Sequence, residues 1–236
     1  MSKKIAYVTD MHLDEEFPKS IGVDANKNWQ IVLDDISSRG IQHIILGGDI
    51  GEKATNAWFF DHLKAHTIDI SLGNHDDFHT VKKHYTQHLH PQRSALYYVQ
   101  EFPSHRCIVL DSSTETIQEE QLSWLKKAVQ TDKPIVVFVH HPILAVEVIM
   151  DRRYALHRRE LIRNILSSIP NKVTIFCGHY HLEDEQKYKN IHQYITPACS
   201  YQVAKTQDEI QVNKDTFGYR ILEFKEEGIQ TELILF

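Results

Sequence analysis

The feature that most constrains this chain is a short apolar run that stops abruptly on Asp, His or Asn, and it occurs five times. Lys4–Asp10 (KIAYVTD) leads into Asp10-Met11-His12, and His43–Asp49 (HIILGGD) ends in Gly47-Gly48-Asp49. Ile68–Gly73 (IDISLG) empties into Asn74-His75-Asp76-Asp77. Pro134–His140 (PIVVFVH) continues as His141-Pro142, and Val173–Gly178 (VTIFCG) as His179-Tyr180-His181. Runs this short, rich in Ile and Val, read as strands. Because most of them are near-continuously apolar rather than alternating, sheets covered on both faces are expected.

What covers them is also visible. Trp29, Val32, Leu33 and Ile36 fall at helical spacing before Gly40, and AWFFDHLKAH reads as a second helix. EEQLSWLKKAVQ presents Leu122, Leu125 and Val129, and RRELIRNILSSI presents Leu161, Ile162, Ile165 and Ile169. ALYYVQ and RCIVLD are further strands, and GYRILEF…TELILF reads as a terminal hairpin. With no repeat, low-complexity tract or Pro/Gly/Ser linker, the simplest reading of residues 1–236 is one domain of α/β class with helices outside its sheets.

Sites in open α/β folds lie at the carboxyl ends of strands. If the five strands share sheet edges, Asp10, His12, Asp49, Asn74, His140, His179 and His181 converge. Imidazole, carboxylate and amide oxygen suit borderline divalent ions such as zinc, manganese or iron. Seven donors are too many for one tetrahedral ion, and two ions sharing a carboxylate use them economically. In extended backbone the i, i+2 pairs Asp10/His12 and His179/His181 would each point to one side. The glycines before Asp49, Asn74 and His179 allow a tight turn and a close backbone approach. Singly, each piece has an ordinary alternative: GGD can be a plain turn, HHP a strand end followed by a loop.

Composition closes several other possibilities. A net charge of −6 argues against non-specific nucleic-acid binding. At 42% hydrophobic and 25% charged the chain is globular, and no apolar run approaches the ~20 residues that cross a bilayer. The N-terminus lacks the pattern of a signal peptide, and Cys107, Cys177 and Cys199 are scattered, so reduced cysteines and a cytoplasmic location are expected. Of the 16 histidines, His62 with His66 and His84 with His88 read as helix-surface residues. Tyr97, Tyr98 and Trp124 read as core.

The ordered set D-x-H, G-D, G-N-H-D, H-H-P and G-H-x-H resembles the calcineurin-like metallophosphoesterase superfamily, over Asp10 to His181. VLDSS at 109–113, QLSWL at 121–125, HHPIL with Asp151, TPACSYQ at 196–202 and GYRILEF at 218–224 resemble its class III cyclic-nucleotide phosphodiesterases. The resemblance implies two central mixed β-sheets packed face to face with helices outside, and a dinuclear centre at one end. It assigns one ion to Asp10, His12, Asp49 and His181. The second falls to Asp49, Asn74, His140 and His179, with Asp49 bridging.

Two divalent ions would offset Asp10, Asp49 and a hydroxide to leave about +1, attractive to a phosphodiester in an acidic protein. The implied reaction is attack of that bridging hydroxide on a small phosphoester, most plausibly a cyclic nucleotide such as cAMP or a 2′,3′-cyclic nucleotide. His75 is the candidate general acid for the leaving alkoxide and Asp76 its orienting partner. His141 lies beside a ligand and is either supportive or structural, and Asp77 reads as a solvated turn residue. Phosphomonoester or nucleotide pyrophosphate hydrolysis would use the same core, with the choice lying in loops such as Asp14–Asp24 and Tyr180–Asn190. A non-catalytic module like the retromer subunit of this fold should lack ligands or His75, and this chain keeps them. A homodimer is compatible with all these readings.

Overall fold

The near-continuously apolar strands His43–Leu46 and Ile135–Phe138 are buried at every residue, so both of their faces are covered. The computed structural model describes residues 3–225 and 228–236 and arranges its main strands in two mixed sheets. In the first, β1 (Lys3–Val8), β2 (His43–Leu46) and β3 (Thr67–Ile70) are parallel neighbours. The C-terminal pair β12 (Gly218–Lys225) and β13 (Gly228–Leu235) extends this sheet, β12 running antiparallel to β1. The hairpin expected at the C-terminus is therefore present, although residues 226 and 227 lie outside the described residues.

The second sheet contains β4 (Tyr98–Glu101), β5 (Arg106–Val109), β6 (Ile135–Phe138), β7 (Val173–Cys177), β8 (Asp184–Tyr188) and β9 (Ile191–Ile195). Its order is β4-β5-β6-β7-β9-β8, with β5, β6, β7 and β9 parallel and the two edges antiparallel. A separate small ribbon pairs β10 (Gln202–Val203) with β11 (Val212–Asn213).

Period-two alternation sorts the inner strands of the second sheet between two cores. Val136 and Phe138 of β6 face the first sheet, with Cys107, Val109 and Phe176. There the Tyr7 ring lies 5.6 Å from Phe138 and 6.1 Å from Phe176. Ile135, Val137 and Val139 share the other core with Leu122 and Leu125 of α5 (Glu119–Ala128) and Ile162 and Leu166 of α7 (Arg159–Ser167). On the far side of the first sheet, α2 (Ala25–Ser38) buries Trp29, Val32, Leu33 and Ile36, and Trp29 meets Phe59 of α3 (Asn56–His62) at 5.1 Å. Emptying such a fully buried site, as in Trp29→Ala, costs about 3–5 kcal/mol. Helix α2 starts where the Asp24 carboxylate accepts from the Lys27 N–H (2.9 Å) and stops at Gly40, whose φ of +68° is left-handed. Shorter helices are α1 (Glu16–Ser20), α4 (Phe78–Val81) and α6 (Ile149–Tyr154).

Three local expectations need correction. In α7 the deep positions are Ile162 and Leu166, while Leu161, Ile165 and Ile169 are only partly buried. Within Tyr180–Asn190, the 5 residues Asp184–Tyr188 form the edge strand β8 rather than a loop; the strand's sequence DEQKY has the charge that keeps an exposed edge from pairing further. His84 and His88 lie beyond α4, not on a helix, and the His88 ring stacks on Tyr98 at 3.9 Å. His66 likewise falls after α3, half-buried, whereas His62 is on that helix and exposed. The three cysteines are buried, Tyr97 and Tyr98 are core, and no helix is long and apolar enough to cross a membrane among the described residues.

Candidate metal centre

Register brings the strand ends together. Val8, Leu46 and Ile70 stand side by side across the first sheet, and Val109, Phe138 and Phe176 across the second. The loops that follow leave at one edge of each sheet and are tied to one another. Asp10 N–H donates to the Gly48 carbonyl (3.0 Å) and His12 N–H to that of Asp49 (3.0 Å). Between sheets, His179 N–H donates to the Asp10 carboxylate (3.0 Å).

The backbone reason expected for this convergence is wrong. Asp10, His12, Asp49, His179 and His181 are not extended; all have positive φ, between 48° and 71°. Left-handed backbone at a non-glycine residue costs on the order of 1–3 kcal/mol and persists only where the surroundings impose it. Tight turns, not the pleat of a strand, aim these side chains. The close approach expected at the glycines is present: a Cβ on Gly73 would strike the Asp49 carboxylate, and one on Gly178 the Asp10 carboxylate.

The side chains form two triads, Asp10-His12-His181 and Asp49-His140-His179, each with one donor atom per residue inside 4.8 Å. Nε2 of His12 lies 3.0 Å from Nε2 of His181 and 3.6 Å from Asp49 Oδ2. His140 Nε2 lies 3.1 Å from Asp49 Oδ2 and 3.9 Å from Asp10 Oδ1, so both carboxylates stand between the triads. Asn74 Oδ1, on the turn residue between Gly73 and His75, is buried without a hydrogen-bond partner, as is His140 Nε2.

The far nitrogen of each imidazole decides what the near one can do. His140 Nδ1 donates to the Gly47 carbonyl (2.8 Å), His181 Nδ1 to that of Tyr201 (3.0 Å), and His179 Nε2 to that of Tyr154 (2.9 Å). His12 Nδ1 donates to the Glu15 carboxylate (2.9 Å). Each bond fixes the ring and turns the other nitrogen's lone pair toward the cluster, which is how proteins orient histidine ligands. Four anchored imidazoles, two carboxylates and an orphaned amide oxygen fit divalent cations.

The electrostatics agree. Burial pushes His179 and His181 down to about 4, leaving neutral imidazoles. Burial would also lower His140, but the Asp49 and Asp10 carboxylates overcome it and hold the ring up to about 9. Burial opposes ionisation of Asp49, yet His140 and His12 keep it well below the usual carboxylate range. A field that holds a proton on a buried imidazole offers the same attraction to a cation.

Around this core the expectations part company. His75 is 45% exposed, and its ring stands edge-on to His12 with centroids 4.7 Å apart. Its partner is not Asp76 but Glu15, whose Oε1 accepts from Nδ1 at 3.1 Å. Asp76 points the other way and accepts from the N–H groups of Asp49 (2.8 Å), Ile50 (3.0 Å) and Gly73 (2.9 Å). Adjacent residues in a turn diverge, so sequence proximity misassigned the carboxylate. Asp77 is no idle turn residue: it caps α4, accepting from Thr80 N–H (2.9 Å). His141 is buried, bonded to Ser112 Oγ (2.8 Å) and packed on His179 at 4.0 Å. Nothing in the sequence pointed to Glu15, since Asp14-Glu15-Glu16 before a helix reads as ordinary N-terminal charge.

No model of a known protein family matches the chain. A probable cyclic nucleotide phosphodiesterase of Fibrobacter succinogenes is 26% identical over 98% of this chain and 93% of its own length. A probable glycerophosphodiester phosphodiesterase of Arcobacter nitrofigilis is 27% identical over 68% of this chain and 64% of its own. Among solved structures, a dimetal phosphatase from Danio rerio superposes with a TM-score of 0.62 over 97% of this chain and 98% of that one, at 13% identity. Two face-to-face mixed sheets and the ordered polar strand ends agree with this likeness: the chain has the fold of that dimetal phosphatase and is similar along nearly its whole length to the Fibrobacter phosphodiesterase.

Proposed function

We propose that the chain is a metal-dependent phosphodiesterase acting on a small phosphoester, a cyclic nucleotide before others. The observation that carries this reading is the set of four imidazoles, each anchored by one nitrogen and aimed by the other at two shared carboxylates. Asp10, His12, Asp49 and His181 would hold one ion; Asp49, Asn74, His140 and His179 would hold the other. Bound there, two divalent ions, manganese, iron or zinc by donor type, supply Lewis-acid charge to the phosphoryl oxygens and lower the pKa of water. The protein's own part is proton delivery. His75 stands beside the centre, open to solvent on one side and bonded through Nδ1, which leaves Nε2 to protonate the departing oxygen. Asp49 accepts the His75 backbone N–H at Oδ1 (2.9 Å), so a ligand also places the acid.

The relative described as a cyclic nucleotide phosphodiesterase aligns along nearly the whole chain and favours that substrate class. The relative described as acting on glycerophosphodiesters makes those the second choice. The test is turnover of bis(p-nitrophenyl) phosphate, p-nitrophenyl phosphate and cyclic AMP by protein loaded in turn with Mn²⁺, Zn²⁺ and Fe²⁺. Diester hydrolysis is expected, and His75→Ala should keep its metal content while losing roughly 10²–10⁴-fold in turnover of the alkyl ester. Hydrolysis of the monoester alone would remove the diesterase assignment; inactivity with every metal would remove the enzyme.

A further inference from the structure

The loop between β1 and α1, marked in sequence as a substrate loop, carries a carboxylate that joins the two working parts of the centre. Glu15 Oε2 accepts from His12 Nδ1 at 2.9 Å, and Oε1 accepts from His75 Nδ1 at 3.1 Å. The side chain is only 12% exposed. We propose that Glu15 is a positioning residue that fixes a metal-ligating imidazole and a proton-donating imidazole at once, one oxygen for each. The inference rests on the roles given above to His12 and His75.

The chemistry of the acceptor makes the arrangement restrictive. An ionised carboxylate has no proton of its own, so both rings must carry their N–H on Nδ1. For His12 this leaves the Nε2 lone pair facing Asp10, Asp49 and His181; for His75 it leaves Nε2 for exchange with substrate. An exposed ion pair would be worth about 0–1 kcal/mol and would fix little. Glu15 differs because its loop is itself held. The neighbouring Asp14 carboxylate accepts from Thr55 Oγ1 (2.9 Å) and Asn26 Nδ2 (3.1 Å), and the Asp14 carbonyl accepts from Lys19 Nζ (2.6 Å). The carboxylate is thus delivered from an anchored turn to a point between two rings 4.7 Å apart.

Glu15→Gln tests this with no change of shape. The amide can accept from one ring only; its NH₂ forces the other to present a lone pair at Nδ1 and move its proton to Nε2. Two readouts follow, both compared with wild type. Mn²⁺ affinity, titrated calorimetrically without substrate, should weaken about 10–100-fold because His12 loses its fixed orientation. At saturating Mn²⁺, turnover of cyclic AMP should fall on the order of 10²-fold, while bis(p-nitrophenyl) phosphate, whose aryloxide departs without a proton, should lose less than about tenfold. Unchanged Mn²⁺ affinity overturns the His12 half, and equal losses on the two esters overturn the His75 half. Wild-type protein inert toward both esters would instead refute the phosphodiesterase reading itself.

Discussion

Asp76 offers a perturbation whose size can be worked from the structure. Its two oxygens accept from three backbone N–H groups, those of Asp49 and Ile50 after β2 and of Gly73 after β3. Asp76→Ala strands all three donors. A buried donor left unpaired costs about 1–3 kcal/mol, and water entering the partly buried gap holds each to about 1.3 kcal/mol. The sum is about 4 kcal/mol, a large part of the ~5–15 kcal/mol that holds a domain together. For a chain of this size that lowers Tm by roughly 8–16 °C. Asp76→Asn keeps one acceptor oxygen but faces an NH₂ toward the remaining donor, so an intermediate loss is expected. Calorimetric melting with saturating Mn²⁺, paired with bis(p-nitrophenyl) phosphate turnover well below the variant's Tm, separates the effects. A melt unchanged within about 2 °C, together with a hundredfold loss of turnover, would refute the reasoning. It would restore Asp76 as a partner of His75 that the structure does not show.

Two further outcomes follow from the same geometry. Gly178→Ala places a methyl against the Asp10 carboxylate and Thr9, so Mn²⁺ affinity should fall at least about tenfold with the far-ultraviolet circular dichroism unchanged; calorimetric titration checks this, and wild-type affinity would contradict it. Mn²⁺ at a hundred times its Kd should add about 2.7 kcal/mol and raise Tm by roughly 5–11 °C for each site filled, reversibly on chelation. A melt indifferent to divalent ions would contradict the cation-binding reading.

The residues that converge were legible because each interrupts an apolar run, and a strand core tolerates Asp10, Asp49 or His140 at its end only for a reason. Level strand ends, set by register pairs such as Val8 with Leu46 and Leu46 with Ile70, turned that list into a place. What stayed hidden has physical causes. The left-handed φ of five candidate ligands is imposed by tertiary contacts and leaves no mark on residues that rarely adopt it. Edge strand β8 is polar because its face is wet, so periodicity could not announce it. Glu15 took the role expected of Asp76 because hydrogen-bond direction, not chain proximity, selects a partner.

The anchors of the four imidazoles differ in kind, and the difference bears on inheritance. His140, His179 and His181 lean on the peptide carbonyls of Gly47, Tyr154 and Tyr201, which every amino acid possesses. No codon change can delete those acceptors; only a shift of the loop can remove them. His12 alone leans on a side chain, and a single-base substitution reaches it. Variation can therefore retune one corner of the centre, the corner shared with His75, while the other three stay buffered against point mutation.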